Sequence, residues 1–314
     1  MEAKKSSLKN KRHVWIAIMF SLILPGMGHI YCGKLIRGLM FTFLNMLPLP
    51  LIMGLLSVPH YHLLVEIIFF LIFTGGMVQL IAIIDSAVIA KKSQYYELKE
   101  YNRPIVYILL LFLIIGNGVG NSFYFRDKFL EAFRVPAASN YPTIVPNDRL
   151  LANKMAYKKS DPKRGDLIVF LNPEDRRINY IKRVVALPGD TVEIKDYQLY
   201  INDQKLQRRQ LPDSVLDKIG IEIRGEPLKG DVYEETNDEA KYKIFLASPA
   251  NPNLANFAKI TVPKYHCFVL GDNLNDSRDS RHFGPIPLAT IKGRADYLYW
   301  PAKDCSRFGS LKPD

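Results

Sequence analysis

The sequence predicts an N-terminal α-helical transmembrane region followed by a mainly antiparallel β outer domain. Three observations predict it. Leu, Ile, Phe, Val and Gly dominate residues 14–125, whereas residues 126–314 are charged and polar. Apolar runs in the first part reach the roughly twenty residues that a membrane-crossing helix needs. In the second part, short apolar runs alternate with Gly-Asp, Pro and Asn turns, the punctuation of β-strands. The expected organisation is a membrane anchor over 1–125 and an outer domain over 126–314, with 202–262 as a loop-rich insertion.

In chain order, residues 14–31 are apolar but broken by Leu24-Pro25-Gly26-Met27-Gly28, which leaves two readings, a re-entrant hairpin or a further span. Three spans are expected at 38–58, 63–90 and 105–125. Asp85, near the end of the second span, reads as reaching the membrane interface. Basic residues set the orientation. Lys4, Lys5, Lys9, Lys11 and Arg12 precede this segment, Lys34 and Arg37 follow it, and Lys91, Lys92, Lys99 and Arg103 precede the last span. The link Pro59-His60-Tyr61-His62 carries no Lys or Arg. Basic links stay cytoplasmic, and with residues 14–31 entering and leaving on the same side the anchor is multi-pass with three crossings and the outer domain is extracytoplasmic; four full spans would put that domain inside. Strands are expected at 166–171, 178–187, 191–194, 198–201, 241–246 and 267–270. Gly165, Gly189 and Gly271, each followed by Asp, mark turns that suit a positive φ.

The net charge of +11 finds its partner in anionic headgroups, because much of the excess flanks the apolar segments. No zinc-finger spacing or RNA-recognition aromatic motif accompanies it, which argues against nucleic acid. No P-loop, dinucleotide fingerprint, HExxH or Cys-His cluster is present, so neither a cofactor nor a metal is implied. Cys267, in an apolar run, reads as a buried strand thiol, and its pairing with Cys305 stays open.

Two segments carry chemistry. Val135-Pro136-Ala137-Ala138-Ser139-Asn140-Tyr141-Pro142-Thr143-Ile144 puts a serine on a Pro-punctuated turn. Tyr180-Ile181-Lys182-Arg183-Val184-Val185-Ala186-Leu187-Pro188-Gly189-Asp190 puts a lysine among apolar neighbours. A serine becomes nucleophilic beside a base whose pKa lies near the working pH. A lysine becomes such a base once burial lowers its pKa from about 10.4. Together they form a candidate Ser-Lys dyad for acyl transfer. Taken singly, such a serine is usually a turn cap and such a lysine a solvent-facing strand residue.

Four blocks, in order, resemble the bacterial type I signal peptidase (leader peptidase) family, membrane-bound Ser-Lys endopeptidases. They are Ser139-Asn140-Tyr141-Pro142-Thr143; the strand-like Asn147-Asp148-Arg149-Leu150-Leu151-Ala152-Asn153-Lys154; Gly165-Asp166-Leu167-Ile168-Val169-Phe170 with Lys182 to Asp190; and Gly271-Asp272-Asn273-Leu274-Asn275-Asp276-Ser277-Arg278-Asp279-Ser280-Arg281. The resemblance implies a signal peptidase-like β fold with Ser139 as nucleophile and Lys182 as general base. Ser277 would hydrogen-bond the lysine, Asp279 and Arg281 would form a supporting salt bridge, and the Ser139 N–H would donate to the oxyanion. Val135, Pro136, Ile144, Tyr180 and Ile181 would line shallow pockets for small substrate side chains. Two positions depart from the pattern. Ala137 stands where some members have a serine, and Asn140 replaces the usual methionine on the substrate-binding surface. The implied function is cleavage of signal peptides from translocated preproteins at a bacterial inner membrane, with no cofactor. A peptidase dedicated to one substrate and an inactive membrane-anchored binding homologue are the alternatives. A DNA-binding, self-cleaving Ser-Lys repressor is disfavoured by the apolar spans.

Overall fold

The computed structural model describes residues 9–47, 64–92, 95–97, 99–212, 222–223 and 226–313. The chain forms two compact units, Met1–Arg126 and Asp127–Asp314.

In the first unit, β1 (Lys9–Lys11) pairs with β2 (Tyr95–Glu97). The helices are α1 (Val14–Ile23), α2 (Met27–Tyr31), α3 (Leu35–Met46), α4 (Leu64–Lys92) and α5 (Pro104–Lys128). The sequence break at Pro25-Gly26 separates α1 from α2. Gly26 has φ +97°, and a Cβ there would run into the Gly38 carbonyl, so conformation and space both require glycine. Ser21 in α1 donates to Ser86 in α4 at 2.8 Å, and Gln79 donates to the Ser21 carbonyl at 2.7 Å. Asp85 pairs inward with His29 at 2.8 Å and with Arg37 at 2.9 Å. Among the described residues one helix, over Phe70–Lys92, is long and apolar enough to cross a membrane. The expected span at 38–58 lies mostly outside the described residues.

The second unit is an antiparallel β structure. Its largest sheet contains β3 (Leu130–Arg134), β4 (Arg149–Asn153), β5 (Leu167–Leu171), β6 (Asn179–Ala186), β16 (His266–Leu270), β17 (Ile286–Pro287) and β18 (Ile291–Trp300), in the order β17-β16-β6-β5-β18-β4-β3. β19 (Gly309–Ser310) pairs with β18. A second sheet is ordered β15-β7-β8-β9, from β7 (Thr191–Lys195), β8 (Gln198–Ile201), β9 (Gln204–Lys205) and β15 (Phe257–Thr261). A third is ordered β10-β13-β14, from β10 (Gln207–Gln210), β13 (Gly230–Asn237) and β14 (Ala240–Ala247). β11 (Glu222–Ile223) and β12 (Glu226–Pro227) form a small hairpin.

β5 is a run of Leu167, Ile168, Val169 and Phe170, all buried. It lies between β6 and β18 with both faces covered, which is why it shows no polar alternation. Leu167 and Val169 join one apolar cluster with Ile144, Leu150 and Leu298, while Ile168 and Phe170 join another with Val184, Cys267 and Val269. Cys267 is a buried free thiol, and Cys305 is exposed and free.

The segment 202–262, read as loop-rich, instead contains five described strands besides the β11–β12 hairpin, including the eight-residue pair β13–β14. β14 covers the strand expected at 241–246 and alternates between buried and exposed residues, whereas β9, β10, β13 and β15 carry many polar and charged side chains and lack the apolar alternation that reveals a half-buried strand. β14 is also fastened to the 271–275 loop. Phe245 N–H donates to the Asp272 carbonyl at 2.7 Å, and Leu274 N–H donates to the Phe245 carbonyl at 2.9 Å.

Candidate active site

Three segments far apart in sequence meet at one cleft. The first is the turn that follows β3. Val135 N–H donates to the Asp148 carbonyl at 2.9 Å, and Ile144 N–H donates to the Asn140 carbonyl at 2.9 Å, so 135–148 closes on itself with Ser139 at its bend. The second is β6, held against β5 with Lys182 opposite Ile168. The third is the loop after β16, in which Asn273 N–H donates to the Ser139 carbonyl at 3.1 Å. Gly271 makes that approach possible. A Cβ there would collide with the Ser139 carbonyl oxygen and Ser277 Oγ. Gly271 is therefore required for space, not for the positive φ expected from sequence; Gly165 and Gly189 do adopt it, at +88° and +90°.

Lys182 Nζ lies 2.7 Å from Ser139 Oγ and donates to the Ile181 carbonyl at 3.0 Å. The lysine is 4% exposed. Burial lowers its pKa to about 8, while Asp279, Asp272 and Asp276 push it up and Arg281 pushes it down. An amine in that range is substantially neutral near pH 8, and its lone pair can accept a hydroxyl proton across a hydrogen bond.

Asp279 and Arg281 form a buried bidentate pair, with the guanidinium donating at 2.9 and 2.8 Å. Burial raises the Asp279 carboxyl, but Arg281, the Gly271 N–H and the Ser277 hydroxyl together hold it below the usual range. Arg281 also donates to the Leu274 carbonyl at 2.8 Å, so the pair ties both ends of the loop. The Ser277 side chain departs from expectation. Its hydroxyl is buried and makes no hydrogen bond to the lysine, whose contacts are Ser139 and Ile181. It lies beside the Asp279 carboxylate instead.

Val135, Pro136, Tyr180 and Ile181 line a cleft of about 290 Å³ together with Ser139 and Lys182. Phe133, Ile178, Asp276 and Arg278 line it too. Ile144 does not. It is fully buried among Leu150, Leu167 and Leu298, because the turn directs its side chain into the sheet core. Asn140 borders the cleft but is only 1% exposed, and its amide donates to the Ile181 carbonyl at 2.7 Å. The expectation of a polar surface group there is corrected by that bond, which turns the side chain inward.

One pair escaped the sequence reading. Arg183, next to Lys182, donates to Asp272 at 2.7 and 2.6 Å, and the two side chains are 2% and 1% exposed. Thr143 Oγ1 donates to the same carboxylate at 2.5 Å. This network joins the serine turn, β6 and the loop. A basic residue inside an otherwise apolar strand and an Asp directly after Gly271 were the available clues. Among the described residues, no group of three or more His, Cys, Asp or Glu side chains is placed to hold a metal ion.

Apolar helices ahead of an antiparallel β unit, with a hydroxyl and a buried amine meeting on a cleft wall, are the features of a peptidase, and comparison with known proteins gives the class a family. Residues 101–300 match the model of the family described as signal peptidase, peptidase S26. Signal peptidase I of Pseudomonas aeruginosa is 31% identical over 242 residues, covering 69% of this chain and 78% of that protein. Signal peptidase I of Aquifex aeolicus is 31% identical over 230 residues, covering 62% and 84%. That of Rickettsia typhi is 30% identical over 205 residues, covering 57% and 75%. A crystal structure of a signal peptidase I from Enterococcus faecalis is 29% identical and covers 43% of this chain and 97% of that one, with a TM-score of 0.27. The chain belongs to the signal peptidase S26 family.

Proposed function

We propose that this chain is a membrane-held endopeptidase that removes signal peptides from translocated preproteins, with Ser139 as nucleophile and Lys182 as general base. The observation that carries the reading is the 2.7 Å contact between a serine hydroxyl and a lysine amine that is 4% exposed. The neutral amine takes the Ser139 proton as Oγ attacks the scissile carbonyl. The resulting ammonium then gives that proton to the leaving amine, and an acyl-enzyme remains. Water, deprotonated by the same amine, attacks the ester and releases Ser139. The Ser139 N–H has no acceptor among the described residues and is free to donate to the oxyanion. The shallow cleft beside Val135 and Tyr180 suits small side chains, in keeping with a small-x-small cleavage motif.

The helix over Phe70–Lys92 supports anchoring. The distribution of basic links supports reading residues 1–125 as a multi-pass anchor and residues 126–314 as a catalytic domain outside the cytoplasm. A signal peptide held in the same bilayer would present its cleavage site without a search through bulk solution.

The test is cleavage of a detergent-solubilised preprotein bearing an Ala-x-Ala site, with the new N-terminus of the product sequenced. The wild type is expected to cut after the second alanine and Ser139→Ala to leave the precursor intact; cleavage by Ser139→Ala would sink the assignment. Gly271→Ala is a subtler case. Its methyl group displaces the Ser139 backbone, so kcat is expected to fall about 100-fold, the scale of a displacement near 1 Å. Unchanged kcat in the folded variant would show that the turn tolerates the methyl group.

A further inference from the structure

The Ile181 carbonyl accepts two hydrogen bonds at the active site. One comes from the Lys182 amine at 3.0 Å, and the other from the Asn140 side-chain amide at 2.7 Å. Asn140 directly follows the serine, and Ile181 directly precedes the lysine. A single side-chain bond thus clips the serine turn to the strand that carries the amine. Asn140 is 1% exposed, and its Oδ1 is buried with no partner. The side chain is therefore held by its amide, not by its carbonyl oxygen. An apolar side chain at this position would bury no unpaired acceptor, so the placement of an amide here calls for a role.

We propose that Asn140 is a positioning residue for the lysine: its amide fixes and partly occupies the Ile181 carbonyl, so that the Lys182 amine keeps its lone pair on Ser139. A neutral amine has two N–H donors and one lone pair. Giving one N–H to a fixed carbonyl sets the rotation about the Cε–Nζ bond, and that rotation decides where the lone pair points. The shared carbonyl also shapes the proton equilibrium. An acceptor that already holds a strong donor stabilises an ammonium less than a free one does, and hydrogen bonding to the charged form is what raises a lysine pKa. The other groups acting on the amine are Asp279, Asp272 and Asp276, which favour the ammonium, and Arg281, which opposes it. The Tyr180 ring lies 5.4 Å from Nζ and favours the ammonium too. Asn140 adds to the opposing side without bringing a charge.

This inference rests on the Ser-Lys reading above, and the experiment separates the two. The full chain in detergent is assayed on the Ala-x-Ala preprotein across pH as wild type, Asn140→Leu and Asn140→Asp, with Ser139→Ala and Lys182→Met as references. Asn140→Leu keeps the shape and removes the donor. Its acid limb in kcat/KM is expected to move up by about half a unit to one unit, because the freed carbonyl favours the ammonium. Its kcat at pH 7 should fall about threefold to tenfold, with KM within about twofold of wild type. Asn140→Asp, which adds a negative charge as well, should shift the limb further. Titration of the lysine Cε resonance in selectively labelled Ser139→Ala protein, with and without Asn140→Leu, gives the same comparison without turnover. An unmoved limb and resonance, with any loss confined to KM, would overturn the proposal and leave Asn140 as part of the cleft wall. Cleavage surviving in Ser139→Ala or Lys182→Met would instead overturn the dyad itself.

Discussion

Lys182→Met is expected to abolish cleavage and, at neutral pH, to yield a more stable fold than the wild type. The site requires an amine with a lone pair, and burial supplies it by bringing the lysine from 10.5 to about 8. That difference corresponds to roughly 3 kcal/mol favouring the neutral form. The folded pKa lies below the unfolded one, so the unfolded chain binds the proton more readily. Below about pH 8 the lysine is charged in both states, and the folded state carries the whole penalty. Between about pH 8 and 10.5 the wild type gains stability, and above that window the lysine is neutral in both states and the penalty is gone. Methionine fills a similar volume with no charge to desolvate. The variant should therefore be more stable by up to about 3 kcal/mol at pH 7, with the gap closing above pH 10. Activity should fall by about 10⁴-fold or more, as when a base is removed from an acyl-transfer site. The wild-type rate should rise about tenfold per pH unit and level off above pH 8. Urea unfolding and preprotein cleavage on the same preparations read both effects. A wild-type midpoint near 10.5, the ordinary lysine value, or a variant less stable than wild type at pH 7, would contradict a lysine whose basicity burial has lowered.

Asp272→Ala should be the most damaging single change outside the reacting pair. Arg183 is 2% exposed and cannot shed its proton, so its charge must be met inside the protein. Asp272 meets it with two hydrogen bonds while also accepting from Thr143. Removing one partner of a buried pair leaves the other uncompensated, at a cost of about 3–5 kcal/mol. The double variant Arg183→Met/Asp272→Leu removes both charges and is expected to recover most of that loss. Urea midpoints of the three proteins decide the matter. A loss under about 1 kcal/mol in Asp272→Ala would mean that water reaches Arg183.

The parts legible in the sequence were those encoded locally. Ser139 and Lys182 sit in segments whose residue types suggest their chemistry, Asp279 and Arg281 came from the family resemblance, and the structure brings the four to one place. β8 was read with the bounds it has, because its four residues alternate between buried and half-buried. Three things were not legible. The inward turn of Ile144 and Asn140 depends on the path of a non-repeating loop, where no period assigns a face. The union of Arg183 with Asp272 spans 89 positions, and neither residue alone names its partner. β13 and β18 mix charged and apolar residues without a clean alternation, so their patterns resemble loops. Ser277 was placed by analogy, and the analogy supplied a neighbourhood but not a bond.

Lys182 and Arg183 are neighbours on β6, and successive side chains on a strand point to opposite faces. If β6 slid by one position along β5, the guanidinium would enter the cleft and the amine would face Asp272. A guanidinium has no accessible neutral form, so such a chain would be folded and catalytically silent. The carboxylate of Asp272 opposes that error, because it binds the fork of an arginine with two hydrogen bonds and an ammonium with fewer. The buried ion pair is thus also a proofreader of alignment: the frame it favours is the one that delivers an ionisable amine to Ser139. Length changes in the turn between Leu171 and Asn179 are tolerated only if they leave that frame intact.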